Sequence, residues 1–419
     1  MIHDLWFWLS DKHTNQLLLF LWAFLLLDVP RYVLSKTIVL IFDIFSIKKR
    51  DFSYYPSVCV IISAYNEGDN IVNSAKTLYG TYPKLQIIIV DDGSTDNSFA
   101  KIQEFSRLNE NIIVLRREDR GGKASAINMG MLYNKSEVTV IADADCSFGK
   151  NALWEIVQPL KDKDIGAVSA PIMPRNSFVN LCTWFQAYEY LHNIVIGRRP
   201  SATLGVLGIV SGAFGAFKTD VLHRIGNMDV GPPEDLDATL RIRRIGYKIA
   251  YAPYAFCYTD VPDTFTSLTK QRIRWEQGGV VRNHCRKHMD MVYLLSPNFK
   301  ISSLFLWIET VWFELISPFV ILFYFYWLLT NHFDDLHYIV FWLFVAYFLL
   351  ELAQSCMCLF YSNDLKHDVL ICLIFPLVLF YKTYLLFVRL YGIISELLWK
   401  NSYNDNYVPK KVRDVTWRY

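Results

Sequence analysis

Four long apolar stretches constrain this chain most strongly, because a fold must either bury them completely or place them in lipid. They lie at residues 17–42, 302–329, 338–360 and 369–399. Each is long enough to cross about 30 Å of hydrocarbon as a helix. The chain is also 53% hydrophobic, with a mean hydropathy of +0.21, which is too apolar for an ordinary soluble enzyme. We therefore expect contact with a lipid bilayer.

The charged residues predict where the polar part of the chain lies. They make up 20% of the sequence and are concentrated at about residues 48–300. The predicted parts are an N-terminal membrane anchor (1–47), a polar domain (48–300), C-terminal transmembrane or interfacial helices (301–399) and a basic tail (400–419). The first stretch lacks a basic start and a small-residue cleavage pattern, so we expect an anchor rather than a cleaved signal peptide.

Basic residues on either side of the first stretch indicate its orientation. Lys48, Lys49 and Arg50 follow it, whereas Lys12 is the only lysine or arginine before it. Because positive charges tend to stay on the cytoplasmic side, the polar domain is expected in the cytoplasm. The prediction is a multi-pass protein of the inner (plasma) membrane.

The basic tail conflicts with three full crossings after the polar domain. Three crossings would place the tail outside the cell, although it is rich in lysine and arginine. One of the later stretches is therefore expected not to cross once. Either the segment with Glu309 and Glu314 is an interfacial amphipathic helix, or the last stretch, broken at Pro376, is a short hairpin. The sequence alone leaves both alternatives open.

Net charge and cysteine spacing exclude other classes of protein. A net charge of +2 is too small for a nucleic-acid surface, which relies on a clustered basic excess. The eight cysteines contain no CxxC pair, and the closest two, Cys356 and Cys358, lie in an apolar run. We therefore expect neither a zinc site nor a disulfide framework.

Short β-branched runs alternate with helical patterns in the polar domain. The runs are SVCVIISA (57–64), QIIIV (86–90), NIIVL (111–115) and VTVIA (138–142). Helical segments are expected to begin near Asp69, Asp96, Lys123 and Asn151. This alternation predicts an α/β fold whose parallel strands are buried on both faces, as in nucleotide-binding sheets.

Polar clusters follow three of these strands, at the edge where open α/β sheets bind ligands. The clusters are AYNEG, DDGSTD and DADC. Asp143 and Asp145 alternate after an apolar strand, which can bring both carboxylates to one Mg²⁺ or Mn²⁺ ion. Turn or helix-capping aspartates are the alternative, but two acids beside a buried strand would repel each other without a cation. The spacing favours the metal site.

Two later clusters are ambiguous on their own. GPPEDLD opens an apparent helix, so Glu234 and Asp235 are either partners of the helix dipole or groups positioned for general base chemistry. QRIRWEQGG places Arg274 beside Trp275, which suits either a diphosphate and a sugar or a basic, aromatic membrane interface. Spacing does not decide between these alternatives.

Taken together, the motifs resemble those of the processive family-2 glycosyltransferases. They are, in order, AYNE, DDGSTD, GGKASAIN, DADC, SGAFGAF, PEDLD and QRIRW. This family includes cellulose, hyaluronan and chitin-type synthases, and the motifs are most similar to bacterial poly-N-acetylglucosamine synthases. The resemblance covers about residues 56–286, and the ordered set with QxxRW is specific. It implies a GT-A domain, which is a Rossmann-like α/β fold, inserted between transmembrane helices.

The resemblance also implies a role for each motif residue. The implied donor-binding residues are Tyr65, Glu67, Asp92, Lys123, Asp143 and Arg274. The implied acceptor-binding residues are Ser211, Gly212, Glu234, Gln271 and Trp275. Asp143 and Asp145 would hold Mg²⁺ or Mn²⁺, and Asp235 would deprotonate the acceptor hydroxyl.

The implied reaction is an inverting transfer that builds a β-linked exopolysaccharide, of the kind found in biofilms, from a nucleotide sugar. UDP-N-acetylglucosamine is the expected donor, because residues 259–279 resemble the poly-N-acetylglucosamine synthases; UDP-glucose or another UDP-sugar is the alternative. Expected partners are the donor, the growing polysaccharide, the bilayer, and accessory export or regulatory subunits. Translocation of the polymer by the same chain is also expected.

Departures from the family pattern limit this expectation. PPED replaces the commoner TED or GED, and no PilZ-type domain follows the last apolar stretch, so direct binding of cyclic-di-GMP is not expected. One alternative is a non-processive transferase acting on a lipid-linked acceptor, which would usually lack QxxRW. The other is a degenerate transferase serving as a transport or scaffold subunit, which would have lost an acid or arginine that this chain keeps.

Overall fold

A mixed seven-stranded sheet forms the centre of the polar domain. In this computed structural model the described residues are 2–11, 20–22, 24–37, 41, 50–229, 233–404 and 408–416. The strands are β1 (Val58–Ala64), β2 (Leu85–Asp91), β3 (Ile112–Arg116), β4 (Val138–Asp143), β5 (Ser147–Phe148), β6 (Ile165–Ser169), β7 (Ile172–Pro174), β8 (Phe214–Lys218), β9 (Lys248–Tyr251) and β10 (Cys257–Thr259). The main sheet has the order β3-β2-β1-β4-β8-β6-β9, and β5-β10-β7 form a small second sheet.

Helices cover the sheet and continue into the apolar C-terminal part. The α-helices are α1 (Ile2–Asp11), α2 (Asn70–Leu78), α3 (Ser98–Arg107), α4 (Lys123–Met131), α5 (Ala152–Val157), α6 (Leu181–Tyr190), α7 (Arg198–Thr203), α8 (Thr219–Arg224), α9 (Glu234–Arg244), α10 (Phe265–Glu276), α11 (Ile301–Trp307), α12 (Ser317–Asn331), α13 (Leu336–Phe360), α14 (Leu365–Cys372), α15 (Val378–Trp399) and α16 (Lys410–Thr416). Longer π-helical segments at Leu191–Ile196, Gln277–Lys287 and Ile308–Ile316 extend α6, α10 and α11.

The first four strands form because each is a run of Val and Ile that can be buried on both faces. β1 pairs in parallel with β2 and β4, and β2 pairs in parallel with β3. Alternate side chains enter different cores: Val60 and Ile62 pack on one side of the sheet, and Ile61 on the other. The predicted α/β fold with parallel strands is confirmed for this part of the chain.

The later strands were not part of the sequence prediction. β8 runs antiparallel to β4 and β6, which makes the sheet mixed rather than wholly parallel. Antiparallel pairing brings the start of β8 to the edge where β4 ends, and Ala142 lies opposite Phe214. The loop before β8 therefore joins the same edge as the polar clusters after β1, β2 and β4.

Three C-terminal helical segments are long and apolar enough to cross a membrane by length and composition. They are Ile301–Asn331, Leu336–Phe360 and Leu365–Trp399. The last is divided by a short 3₁₀ turn at Phe375–Leu377, which contains Pro376. These segments agree with the apolar stretches predicted at residues 302–329, 338–360 and 369–399.

The predicted anchor at residues 17–42 lies partly outside the described residues. Within the described residues of this stretch, the segment 24–37 contacts the C-terminal helices. Nε of Arg31 donates a hydrogen bond to Oε1 of Glu309 at 2.9 Å, and Nζ of Lys36 donates to Oε1 of Gln354 at 3.0 Å. This segment is thus held by polar contacts to two of the later helical segments.

Candidate active site

One large cavity collects every residue to which the family resemblance gave a role. It has a volume of about 1370 Å³, lies at the carboxyl edge of the sheet and extends to the apolar helices. The predicted residues that line it are Tyr65, Glu67, Asp92, Lys123, Asp143, Asp145, Ser211, Gly212, Glu234, Asp235, Gln271, Arg274 and Trp275. The structure therefore brings together motifs that are up to about 210 residues apart in sequence, as expected where parallel strands end at one edge.

Asp92 is held rigidly at one end of the cavity. Its two carboxylate oxygens accept hydrogen bonds from the backbone N–H groups of Gly121 and Gly122, at 2.9 and 2.7 Å. Burial raises its pKa, while these bonds and Arg117, 3.1 Å away, favour the ionised form. The arrangement fixes the loop before α4 against the loop after β2.

Tyr65 and Arg120 form a flat, cationic surface beside Asp92. The guanidinium carbon of Arg120 lies 4.0 Å from the centroid of the Tyr65 ring. Gly93 has a φ of +79°, and a Cβ there would lie 3.0 Å from the backbone nitrogen of Arg120, so glycine allows the two loops to approach. A planar, electron-rich base is the kind of group that such a surface can stack against.

Asp143 and Asp145 are close enough to share one cation. Ligand atoms of these two residues and of Cys146 lie within 4.8 Å of one another. Burial raises the pKa of Asp145, and the neighbouring Asp143 carboxylate raises it further. Glu67 is affected similarly: burial, followed by Asp145, raises its pKa. A divalent cation would offset this repulsion between acids.

The donor set fits Mg²⁺ or Mn²⁺ better than a softer metal. Cys146 donates through Sγ to Oδ1 of Asp145 at 3.5 Å, and its hydrogen bond with Cys257, followed by burial, raises the pKa of its thiol. The thiol therefore stays protonated and leaves two carboxylates as the ligands. Carboxylate oxygens are the ligands that these hard cations prefer, and they leave positions for diphosphate oxygens.

Lys123 bridges the paired acids after β4 and the acids at the start of α9. Its ammonium nitrogen lies 2.5 Å from Oδ1 of Asp143 and 3.5 Å from Oε1 of Glu234. It also donates to the carbonyl oxygen of Gly212 at 3.3 Å. Burial opposes its charge, but Asp143 and Glu234 outweigh this effect and raise its pKa. Lys123 is thus a fixed cation in the middle of the cavity.

Asp235 is oriented by backbone groups on both sides. Its Oδ2 accepts a hydrogen bond from the N–H of Gly212 at 3.0 Å, and its Oδ1 accepts from the N–H of Leu236 at 2.8 Å. A Cβ at position 212 would lie 2.9 Å from Nζ of Lys123 and 3.4 Å from Oδ2 of Asp235. Glycine is therefore needed where these two charged groups meet.

Helix α9 is anchored so that its first turn faces the cavity. Asp237 lies two residues after Asp235 and is buried. It accepts a hydrogen bond from Nε2 of His288 at 2.8 Å. Arg241 and Lys287 also bond to Asp237, at 2.7 Å each. Although burial opposes ionisation, these partners lower the pKa of Asp237. Asp237 therefore holds the helix, whereas Asp235 lines the cavity.

The QxxRW residues lie on α10 along another wall of the cavity. Trp275 is 41% exposed, so one face of the indole remains open to a ligand. The guanidinium carbon of Arg272 lies 4.3 Å from the centroid of that ring. Arg272 is itself held by Glu189 at 2.9 Å. The guanidinium group of Arg272 stacks on the indole of Trp275 and orients it. This indole is the group that the sequence predicted to stack on a sugar ring.

The cavity ends against the apolar helices. Glu309 and Glu314 at this end were already singled out in the sequence as charges within an apolar stretch, whereas Glu276 and Arg389 were given no role there. Glu276 follows Trp275 and accepts a hydrogen bond from Nε of Arg389 at 2.9 Å. Glu309, Glu314 and Thr310 also line this end. The charges within the apolar stretches were the available signal, since ionisable groups there rarely lie against lipid.

Comparisons with known proteins identify the polar domain. Residues 59–226 match the sequence profile described as Glycosyl transferase family 2. This part of the chain is a family-2 glycosyltransferase domain. The result confirms the predicted recognition of the family from its motifs and the predicted enzyme class.

The similarity of this chain to curated proteins agrees with the family match. Poly-beta-1,6-N-acetyl-D-glucosamine synthase of Staphylococcus aureus (strain MSSA476) is 32% identical over 225 residues, which are 53% of this chain and 54% of the relative. The protein of the same description from Staphylococcus epidermidis is 30% identical over 234 residues, or 55% of this chain and 56% of that protein. The chain thus spans about half the length of the curated relatives it matches.

A solved structure shares the fold over most of the chain. It is the mannosyltransferase PcManGT from Pyrobaculum calidifontis in complex with GDP-Man and Mn²⁺, with a TM-score of 0.58 and 21% identity. The match covers 88% of this chain and 96% of that one. This likeness supports the glycosyltransferase fold, including the helices that follow the domain.

Proposed function

We propose that this chain is a membrane-embedded, inverting glycosyltransferase that polymerises a β-linked exopolysaccharide from UDP-N-acetylglucosamine. The observation that carries the proposal is a single cavity in which the paired acids, Asp235 and the QxxRW residues all meet, and which ends at apolar helices. The donor sugar is supported by the relatives, which are described as poly-beta-1,6-N-acetyl-D-glucosamine synthases.

The donor would bind at the end with Asp92 and the acidic pair. Tyr65 and Arg120 offer a stacking surface for the base, and Asp92 lies beside them. Lys123 and Arg274 supply positive charge for the diphosphate. A Mg²⁺ or Mn²⁺ ion held by Asp143 and Asp145 would neutralise charge on the departing nucleoside diphosphate. These residues favour bond cleavage because they stabilise charge where it develops.

Asp235 would accept the proton from the acceptor hydroxyl. Hydrogen bonds from Gly212 and Leu236 hold its carboxylate in one orientation within the cavity. The deprotonated oxygen forms a bond to the anomeric carbon as the bond to the diphosphate breaks, so an α-linked donor gives a β-linked product. Trp275 would stack on the acceptor sugar and keep its hydroxyl near Asp235.

We also propose that α15 lies at the membrane interface instead of crossing it. Its domain side carries polar contacts: Nε2 of Gln277 donates to Oγ of Ser395 at 2.7 Å, and Arg286 bonds to Glu396 at 2.7 Å. Its other side is exposed and apolar. Five of its exposed residues, Phe380, Phe387, Tyr391, Ile394 and Leu398, share one helical face by their spacing. This pattern is typical of an amphipathic interfacial helix.

The tail supports the same arrangement, because it contacts the domain. Nζ of Lys411 donates to Oδ2 of Asp119 at 2.9 Å, and Val408 and Val412 line the cavity. With α15 at the interface, Ile301–Asn331 and Leu336–Phe360 would be the two crossings after the domain. The domain and the tail then lie on one side, which the positive-inside bias assigns to the cytoplasm.

A donor panel tests the proposed function. Purified full-length protein in lipid nanodiscs would be given UDP-N-acetylglucosamine, UDP-glucose, UDP-glucuronate and GDP-mannose, each with Mn²⁺. We expect release of UDP and a polymer only with UDP-N-acetylglucosamine. Release from another donor would correct the substrate, and transfer of one sugar to an added lipid carrier would support the non-processive alternative. Asp235→Asn protein is the matched control for contaminating activity.

A further inference from the structure

The membrane-side end of the cavity has an unusual distribution of charge. We call this part the acidic end; it comprises Glu276, His284, Glu309, Thr310 and Glu314, all of which line the cavity. Of its three carboxylates, Glu276 bonds to Arg389 at 2.9 Å and Glu309 bonds to Arg31 at 2.9 Å. Both guanidinium groups are therefore already engaged by acids of the cavity wall.

Glu314 differs from the other two acids. Within the part of the chain that the structure describes, no lysine or arginine bonds to its carboxylate. Its side chain is half-buried on the π-helical segment Ile308–Ile316. A ligand in the acidic end would thus meet one carboxylate without a bonded cation.

His284 provides an independent indication of what this end binds. The ring is 94% buried, given its 6% exposure, and Nδ1 lies 3.1 Å from the carbonyl oxygen of Gly279. Nδ1 must carry the proton in that contact, so Nε2 is an acceptor, and it has no hydrogen-bond partner among the described residues. Burial lowers the pKa of His284, in agreement with a neutral ring.

The buried polar atoms of the acidic end that lack a partner among the described residues are therefore hydrogen-bond acceptors. Nε2 of His284 and Oε2 of Glu276 are both buried without a partner in the described structure, and the Glu314 carboxylate is likewise an acceptor. A buried acceptor without a partner is costly, and a ligand that donates O–H or N–H groups removes that cost. A ligand carboxylate would instead add charge of the same sign.

We propose that the acidic end is a subsite for the acceptor chain that selects neutral or amino sugars and rejects sugars that carry a carboxylate. Glu314 is the main determinant, with His284 and Glu276 accepting hydrogen bonds from sugar hydroxyl or amide groups. This inference rests on the proposed function, since it concerns the acceptor of that reaction. Such a subsite restricts the product to a polymer whose sugar units carry no carboxylate where they contact the acidic end.

The test compares binding and turnover of two acceptors of equal length. Isothermal titration calorimetry on full-length protein in nanodiscs would measure the affinity for an N-acetylglucosamine tetramer and for a tetramer that alternates N-acetylglucosamine with glucuronate. We expect the neutral tetramer to bind at least about 10-fold more tightly, because like charges brought together across a binding site are strongly unfavourable. UDP release from UDP-N-acetylglucosamine would be measured with the same acceptors.

Glu314→Gln removes the charge while keeping the shape of the side chain. It should reduce the preference for the neutral tetramer to about 3-fold or less, mainly through tighter binding of the uronate tetramer. Glu104→Gln is the matched control, because Glu104 is exposed on α3 and lies outside the cavity. The Glu104→Gln variant should keep the full wild-type preference for the neutral tetramer.

The outcomes separate this inference from the proposed function. Equal affinity of the wild-type protein for both tetramers, or an unchanged preference in Glu314→Gln, overturns the inference even if UDP is released normally. Absence of UDP release with a retained binding preference sinks the proposed reaction but leaves the selective subsite in place. The wild-type comparison needs no variant, so poor folding of Glu314→Gln cannot decide the result.

Discussion

Lys123 shows how a single residue couples the two halves of the cavity. It lies within 3.5 Å of both Asp143, at the end of β4, and Glu234, at the start of α9. Burial raises the pKa of Glu234, and Lys123 opposes that rise. A diphosphate that draws the ammonium group away would therefore change the environment of the acids beside the acceptor. In the proposed reaction, this cation would link donor binding to acceptor activation.

Asp235→Asn should separate binding from chemistry. The amide keeps the size of the side chain but cannot take the acceptor proton, so transfer should fall by about 100-fold or more. Donor affinity should change little, because Asp235 bonds to Gly212 and Leu236 rather than to the residues beside Asp92. Calorimetric titration with UDP and a UDP-release assay measure the two effects. A collapse of UDP affinity would identify Asp235 as a structural or donor-binding residue instead.

Asp145→Asn should abolish activity while making the metal-free protein more stable. Loss of a metal ligand should lower turnover by about 100-fold or more, and excess EDTA should do the same to the wild-type protein. Burial raises the pKa of Asp145, so the ionised form destabilises the native state, and the variant should gain about 1 kcal/mol at pH 7.5.

The sign of the pH dependence provides a check on this explanation. An acid with a raised native pKa binds its proton more tightly when folded, so the wild-type protein recovers the lost stability as the pH falls through that raised pKa. The difference in Tm between variant and wild type, measured in EDTA, should therefore shrink from pH 7.5 towards pH 5. A constant difference contradicts the raised pKa of Asp145, whereas full wild-type activity in EDTA contradicts the metal site.

At the scale of elements, close packing sets the position of the acceptor wall. Helix α15 packs along α10, and Gly392 allows this approach because a Cβ there would lie 3.0 Å from Cβ of Glu276. Tyr384 and Thr269 bond to each other through their hydroxyl groups at 2.5 Å, near the start of α10. The helix that carries QxxRW is thus fixed by the helix that we propose to lie in the interface.

Sequence alone predicted the elements whose signals are local. β1, β2 and β4 are continuous apolar runs followed at once by polar loops, so both the sheet and its acidic edge could be predicted. β8 was missed because its short run, FGAFK, acquires its role only by pairing with β4. The motif roles of Asp235 and Trp275 came from a family resemblance, and the structure adds only that both line one cavity.

The residues that were missed depend on tertiary contacts. Arg272 occupies a variable position of QxxRW, where an arginine would be expected to lie exposed on the helix surface. It is instead buried and stacks on Trp275. Arg389 lies in an apolar stretch more than 100 residues from Glu276, its partner. No local sequence pattern predicts such pairs, because each charged residue is unfavourable in its own segment. It becomes favourable only when its partner residue is also present.

The interfacial position of α15 can be tested with reporter fusions. A reporter fused after residue 419 should lie on the same side of the membrane as one inserted after Glu110, an exposed residue of the domain. A reporter in the loop between Asn331 and Leu336 should lie on the opposite side, since that loop joins the two proposed crossings. Protease protection in sealed inverted vesicles measures all three. A tail on the side opposite the domain would show that α14 and α15 together cross.

At the scale of the whole molecule, the cavity ends against helices that are candidate membrane spans. A second cavity of about 40 Å³ lies among the N-terminal segment and two candidate spans. Its lining includes Asp28, Ser317, Tyr324 and Tyr347, which are polar or aromatic groups in otherwise apolar helices. A polysaccharide needs such groups, because hydroxyl-rich sugar does not enter bare hydrocarbon cheaply.

We therefore predict that the chain extrudes its own product. Sealed proteoliposomes with the domain facing outward would receive UDP-N-acetylglucosamine and Mn²⁺ outside, followed by a glycosidase outside. Polymer that resists digestion until detergent is added would show transport into the vesicle. Tyr347→Trp, which enlarges a side chain of the second cavity, should reduce protected polymer by about 10-fold or more while UDP release in detergent changes little, since overpacking closes a narrow path. Fully digestible polymer from the wild-type protein would instead assign export to a separate transporter.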